Sequence, residues 1–121
     1  MRRTIFATFA LVAISLASTH ALALAGKYAV KGTNPGGKGN YTGTVTITQK
    51  GDLYQLAWSV GTTYTGVGIK SGNVLSVGWG TGGAAGYGVV SYTIGADGTL
   101  TGTWAGPKDT GLGTETLTPQ K

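Results

Sequence analysis

Cysteine is absent from all 121 residues, so no disulfide staples the chain, no thiolate nucleophile operates, and a cysteine-linked lipid anchor is excluded. The single histidine (His20), the single methionine, both phenylalanines and both arginines lie within the first 20 residues. Beyond that point there is no base for a serine or cysteine triad and no His/Cys set for zinc. Charge is sparse at 11% of residues, and the acids number four: Asp52, Asp97, Asp109 and Glu115. Asp52 and Asp97 fall in turn sequences, which leaves only Asp109 and Glu115 for any paired-carboxylate chemistry. The expectation is a chain that is not an enzyme and carries no metal or cofactor.

The first 25 residues have the layout of a secretory leader: Arg2 and Arg3, an apolar run from Ile5 to Ala17, then small-residue cleavage sites. Ala21-Leu22-Ala23 and Ala23-Leu24-Ala25 both fit an A-x-A site, the second being preferred because Gly26-Lys27 then opens the mature domain. The run is short of the roughly 20 apolar residues that span a bilayer, and no later segment approaches that length. The pair Arg2-Arg3 with Phe6 resembles a twin-arginine signal faintly, but basic pairs are common in leaders and ordinary export is expected. The expected location is the periplasm or the exterior, with a single domain over residues 26–121. That domain holds seven lysines, no arginine and the four acids. A scattered charge of this kind, without a bidentate phosphate-binding side chain, argues against nucleic acid as a partner.

Period-two alternation dominates what remains. From Tyr41 to Thr48 the odd positions are Tyr41, Gly43, Val45 and Ile47, and the even positions are all threonine, which describes a strand with one apolar and one wet face. The same reading places strands near 27–32, 41–49, 53–60, 63–70, 73–79, 86–94, 99–105 and 112–118, with no helix. Lys50-Gly51-Asp52, Ser71-Gly72-Asn73 and Ala96-Asp97-Gly98 have tight-turn chemistry. A unit of about 21 to 25 residues recurs, each copy running from such a turn through alternating residues to a tryptophan: Trp58, Trp79 and Trp104. Eight short antiparallel strands remove their edges by closing, so the predicted fold is an all-β, eight-stranded up-and-down barrel, with a two-sheet sandwich as the alternative. Phase in the fourth strand is unresolved: if Tyr64 points inward like Tyr41, Val67 and Ile69 point outward unless a bulge at Gly66 or Gly68 intervenes.

In such a meander the tight turns gather at one end and the glycine-rich loops 32–40, 80–86 and 105–111 at the other. Trp58, Trp79 and Trp104 each close a strand running toward the long loops, in phase with Leu56, Val77 and Leu100. They are expected to converge inside, either as a plug of packed indoles or as a ligand platform. Tyr41 and Tyr92 join them as candidate ligand-binding residues, with Asn34 and Lys108 on the rim. Glu115 shares a face with Leu117; an inward Glu115 needs a hydroxyl or lysine partner, whereas a shifted register turns it to solvent.

Two glycine motifs carry no phosphate chemistry. Gly32-Thr33-Asn34-Pro35-Gly36-Gly37-Lys38 lacks the final Ser/Thr, Gly78-Trp79-Gly80-Thr81-Gly82-Gly83 matches G-x-G-x-x-G, and neither opens a helix. Asn40-Tyr41-Thr42 is a glycosylation sequon that matters only in a eukaryotic host. The segments G-T-N-P-G-G, Y-T-G-T-V-T-I-T, G-D-x-Y-x-L-x-W, Y-T-G-V-G-I and G-T-E-T-L-T-P, spread over residues 28–119, resemble small exported bacterial proteins of uncharacterised role, some labelled fibronectin-binding. The segment from Gly95 to Trp104 is similar to a strand of the avidin and streptavidin barrels, and that resemblance implies the barrel architecture alone. The expected function is a binding protein whose Trp-lined mouth takes a small apolar or aromatic ligand. The alternatives are an adhesion protein contacting extracellular matrix, or a structural exported protein with no dedicated ligand.

Overall fold

A computed structural model of the chain describes residues 23–83 and 86–121. The leader expected over residues 1–25 lies outside the described residues as far as residue 22. The fold is one closed barrel of eight antiparallel strands in sequence order: β1 Gly26–Thr33, β2 Asn40–Lys50, β3 Leu53–Ser59, β4 Thr63–Ser71, β5 Val74–Gly80, β6 Tyr87–Ile94, β7 Leu100–Ala105 and β8 Gly113–Pro119. Closure is made by β1 against β8, from Tyr28 opposite Pro119 to Thr33 opposite Thr114, which leaves no strand edge to template pairing with another chain. The up-and-down barrel, not the sandwich, is the architecture. A short 3-10 turn at Pro35–Gly37 is the one helical feature among the described residues. The expectation of no helix missed it because a single turn has no periodicity; Pro35 presets the first residue, and Gly36 and Gly37 supply φ values of 73° and 70°.

The threonines of β2 face water while Val45 and Ile47 are buried at 0% and 1% exposure, as the alternation demands. The floor of the barrel is filled by Leu75, Tyr92, Leu100 and Leu117, all at 0%. Burial of each such side chain stabilises by about 1.5–3 kcal/mol. Tight turns close that filled end: Gly51 and Gly72 each sit at φ 60°, and the Asp97 carboxylate accepts from the Thr99 N–H at 2.9 Å. The longer connections lie at the opposite end.

Strand β4 keeps an unbroken register with both neighbours, Tyr54 pairing Gly68 on one side and Gly68 pairing Val77 on the other. No bulge switches its phase. Tyr64, Gly66 and Gly68 point inward, and Val67 and Ile69 point to solvent at 52% and 55% exposure. The reason is space: a Cβ on Gly66 would meet a Trp58 ring carbon at 3.0 Å and Val77 Cγ1 at 2.9 Å, and one on Gly68 would meet Leu75 Cδ1 at 3.1 Å. Bulky side chains from β3 and β5 already occupy the interior there, so β4 contributes glycine inward and leaves its aliphatics outside.

Candidate functional site

The site is built from one cross-strand row. Reading around the wall, Tyr41 on β2 pairs Gly32 on β1, Gly32 pairs Glu115 on β8, Glu115 pairs Gly102 on β7, and Gly102 pairs Tyr92 on β6. The two glycines beside Glu115 are the reason the row works. A Cβ on Gly32 would fall on the Tyr41 ring, with Cε1 at 2.7 Å, and one on Gly102 would sit 2.7 Å from Tyr92 Cδ1. Each tyrosine ring therefore lies across a neighbouring glycine and delivers its hydroxyl to the carboxylate.

Glu115 is 6% exposed. Its Oε2 accepts from the Tyr41 hydroxyl at 2.7 Å, and its Oε1 accepts from the Tyr92 hydroxyl. A third donor crosses the barrel from β3, the Trp58 indole N–H, at 3.0 Å from Oε1. Hydroxyls and an indole, with no lysine among these donors, thus meet the need created by burying the acid. Burial pushes the Tyr92 hydroxyl well above the usual tyrosine range, and the adjacent Glu115 charge adds to the rise. Tyr41 moves the same way, chiefly through burial and then through its bond to Glu115, opposed in part by the Trp104 indole. That Trp104 N–H nonetheless makes no hydrogen bond of acceptable geometry, although it is buried.

Above this row lies an open cavity of about 220 Å³. Trp58, Trp79, Trp104, Tyr41 and Tyr64 form its aromatic walls, with Val60 and Val90 between them. The rings stand edge to face in succession: Tyr64 to Trp79 at 5.4 Å and 83°, Trp79 to Trp104 at 5.8 Å and 76°, Trp104 to Tyr41 at 6.2 Å and 72°. This arrangement favours the quadrupoles and adds about 0.5–1.5 kcal/mol per pair beyond burial. The glycine device recurs, since Trp79 lies over Gly88 and Trp104 over Gly113, whose Cβ would sit 2.5 Å from Trp104 Nε1. Asn34 reaches the cavity from the loop after β1, which it folds by donating its side-chain amide to the Lys38 carbonyl at 3.2 Å.

The structure therefore brings Trp58, Trp79, Trp104, Tyr41, Glu115 and Asn34 together around one cavity. The indoles converge at one end and line space that they do not fill. Tyr92 does not line it; at 0% exposure it lies beneath, holding Glu115. Lys108 is exposed in the loop after β7 and does not line the cavity. That loop is held by Asp109, whose carboxylate accepts from the Gly106 N–H at 2.7 Å. Tyr64, Val60 and Val90 line the cavity as well, beyond the candidate ligand-binding residues expected from the sequence. Tyr64-Thr65-Gly66 repeats Tyr41-Thr42-Gly43, and that repeat was the available signal.

Fold and site together define a small up-and-down β-barrel with an aromatic mouth over a buried, hydrogen-bonded carboxylate. Compared with known protein families and with curated proteins, the chain matches none.

Proposed function

We propose that this is an exported binding protein, without catalytic activity, that takes a small ligand with an apolar or aromatic body into the mouth of its barrel. The observation that carries the reading is the cavity of about 220 Å³ walled by five aromatic rings over one fixed carboxylate. Ligand sites are concave, mostly apolar and furnished with a few oriented polar groups, and this cavity has all three properties. Its volume lies below the roughly 300 Å³ at which drug-sized sites begin, so the ligand is small.

Tryptophan fluorescence tests the reading, because all three tryptophans of the chain line the cavity. Acrylamide is expected to quench the emission in the free protein, and a bound ligand to protect against it. Emission inaccessible to acrylamide, with no response to a panel of small aromatic compounds, would defeat the proposal.

An adhesive role is the second reading, supported by an apolar band on the outer wall. Val67, Ile69 and Val89 are 52%, 55% and 64% exposed, with Leu112 beside them at 65%. Retention on matrix proteins at low salt is its test.

A further inference from the structure

We infer that the ligand is a small organic cation, an alkyl- or arylammonium whose N–H reaches Glu115 while its carbon body lies against the indole and phenol rings. This rests on the binding-site reading above and deepens it by fixing the charge of the ligand.

The first argument is a count of acceptor sites. A carboxylate offers about four lone-pair positions. Tyr92 and Trp58 use those of Oε1, and Tyr41 uses one on Oε2, so one position on Oε2 is left beside the cavity that Glu115 lines. A purely apolar ligand would seal that position away from water without a partner, which is costly. An N–H donor fills it.

The second argument is the sign of the field. No lysine lines the cavity, and all seven lysines are exposed. All three donors to Glu115 are neutral side chains, so its charge is not cancelled by an ion pair with them. Five aromatic rings line the same space, four of them in succession at 72° to 83° to one another. A cation that settles over a ring face is attracted by the negative side of its quadrupole, most strongly where water is displaced. An anion would meet the carboxylate with no lysine among the residues that line the cavity to compensate it. A neutral ligand gains the apolar contact and forgoes the rest.

The test is a charge series of nearly equal shape applied to the intact barrel domain: phenethylammonium, phenethyl alcohol and phenylacetate, read by tryptophan fluorescence titration. The expected result is an ammonium affinity at least about tenfold above that of the alcohol, in line with a cation–π contribution at a desolvated site, and no measurable binding of phenylacetate. In Glu115→Gln the ratio of ammonium to alcohol affinity is expected to fall toward unity. The wild-type series stands alone should that variant fold poorly. Equal binding of alcohol and ammonium overturns the cation assignment and leaves the pocket reading in place. Binding of phenylacetate in preference to the other two overturns it as well. No binding by any of the three overturns the assignment, and acrylamide accessibility of the tryptophans then decides whether the pocket reading falls with it.

Discussion

Gly102 stands directly between Tyr92 and Glu115 in the cross-strand register, and its missing side chain is the gap through which the Tyr92 hydroxyl reaches the carboxylate. A methyl group there would meet Tyr92 Cδ1 at 2.7 Å and the Ser91 carbonyl oxygen at 2.6 Å. One contact is with backbone, which cannot swing aside. Gly102→Ala is therefore expected to destabilise by about 1–3 kcal/mol, the usual cost of overpacking. Gly78→Ala is the matched control: Gly78 faces out from β5 and a Cβ there meets nothing within 4 Å, so the change is expected to stay within about 0.5 kcal/mol. Urea unfolding of the pair checks the claim, and equal midpoints would refute it.

Glu115 is the common acceptor of three donors from three strands, so replacing it separates loss of charge from loss of hydrogen bonding. Glu115→Leu leaves the Trp58 indole and two tyrosine hydroxyls without their acceptor. Each buried donor left unpaired costs about 1–3 kcal/mol, somewhat less for Tyr41 because that bond is only part-buried. Glu115→Gln keeps an acceptor oxygen of the same reach and is expected to lose less than half as much. A Leu variant as stable as the Gln variant would show that the network contributes little to the fold.

The raised tyrosines give a pH dependence with a definite sign. Tyr28, Tyr41 and Tyr92 are all pushed upward, in each case chiefly by burial. In the unfolded chain they ionise near about 10; in the barrel they hold their protons beyond that. Folding stability from this source is complete below the unfolded value and is lost as pH rises past it, because the unfolded state then binds fewer protons than the native one. Alkaline titration followed by phenolate absorbance is expected to show Tyr41 and Tyr92 ionising only as the barrel unfolds, and Tyr28 ionising later than a free tyrosine. Tyr92→Phe should flatten the fall in stability on the alkaline side. Six tyrosines titrating together while the protein remains folded would contradict the assignment.

How much of this was legible in the chain differs by level. The strands were, because threonine on one face and aliphatics on the other leave little choice of phase, and β2 reads almost residue by residue. Convergence of the indoles was legible too, since each ends the same arm of a repeated hairpin. Strand β4 is ambiguous for a physical reason: beyond Tyr64 its inward positions are Gly66 and Gly68, which the bulk of Trp58, Val77 and Leu75 on neighbouring strands requires, so Val67 and Ile69 point the wrong way for a core. The Glu115 network was not legible either. Glu115 matches Leu117 in phase, but its partners lie 74, 57 and 23 residues away, and only closure of β1 on β8 places Gly32 and Tyr41 beside it. Phase gives the face of a strand and not the depth within the barrel, so the alternation alone cannot tell Tyr92, which lies beneath the cavity, from the residues that line it.

The start of the barrel carries the last prediction. Leu24 is 8% exposed and belongs to the core cluster with Tyr28 and Val30, and its carbonyl accepts the Tyr28 hydroxyl at 2.6 Å. Processing after Ala25 would remove both that side chain and that acceptor. The loss is about 1.5–3 kcal/mol for the leucine and about 1 kcal/mol for the hydrogen bond. Processing after Ala23 keeps them, which reverses the preference between the two A-x-A sites that Gly26-Lys27 alone suggests. A secreted chain is therefore expected to begin at Leu24, as read from its intact mass. Recombinant chains beginning at Leu24 and at Gly26 should differ in stability by about 2.5–4 kcal/mol in favour of the longer one, the sum of those two terms. A secreted chain beginning at Gly26, with no stability gap between the two recombinant forms, would remove Leu24 from any role in the mature barrel.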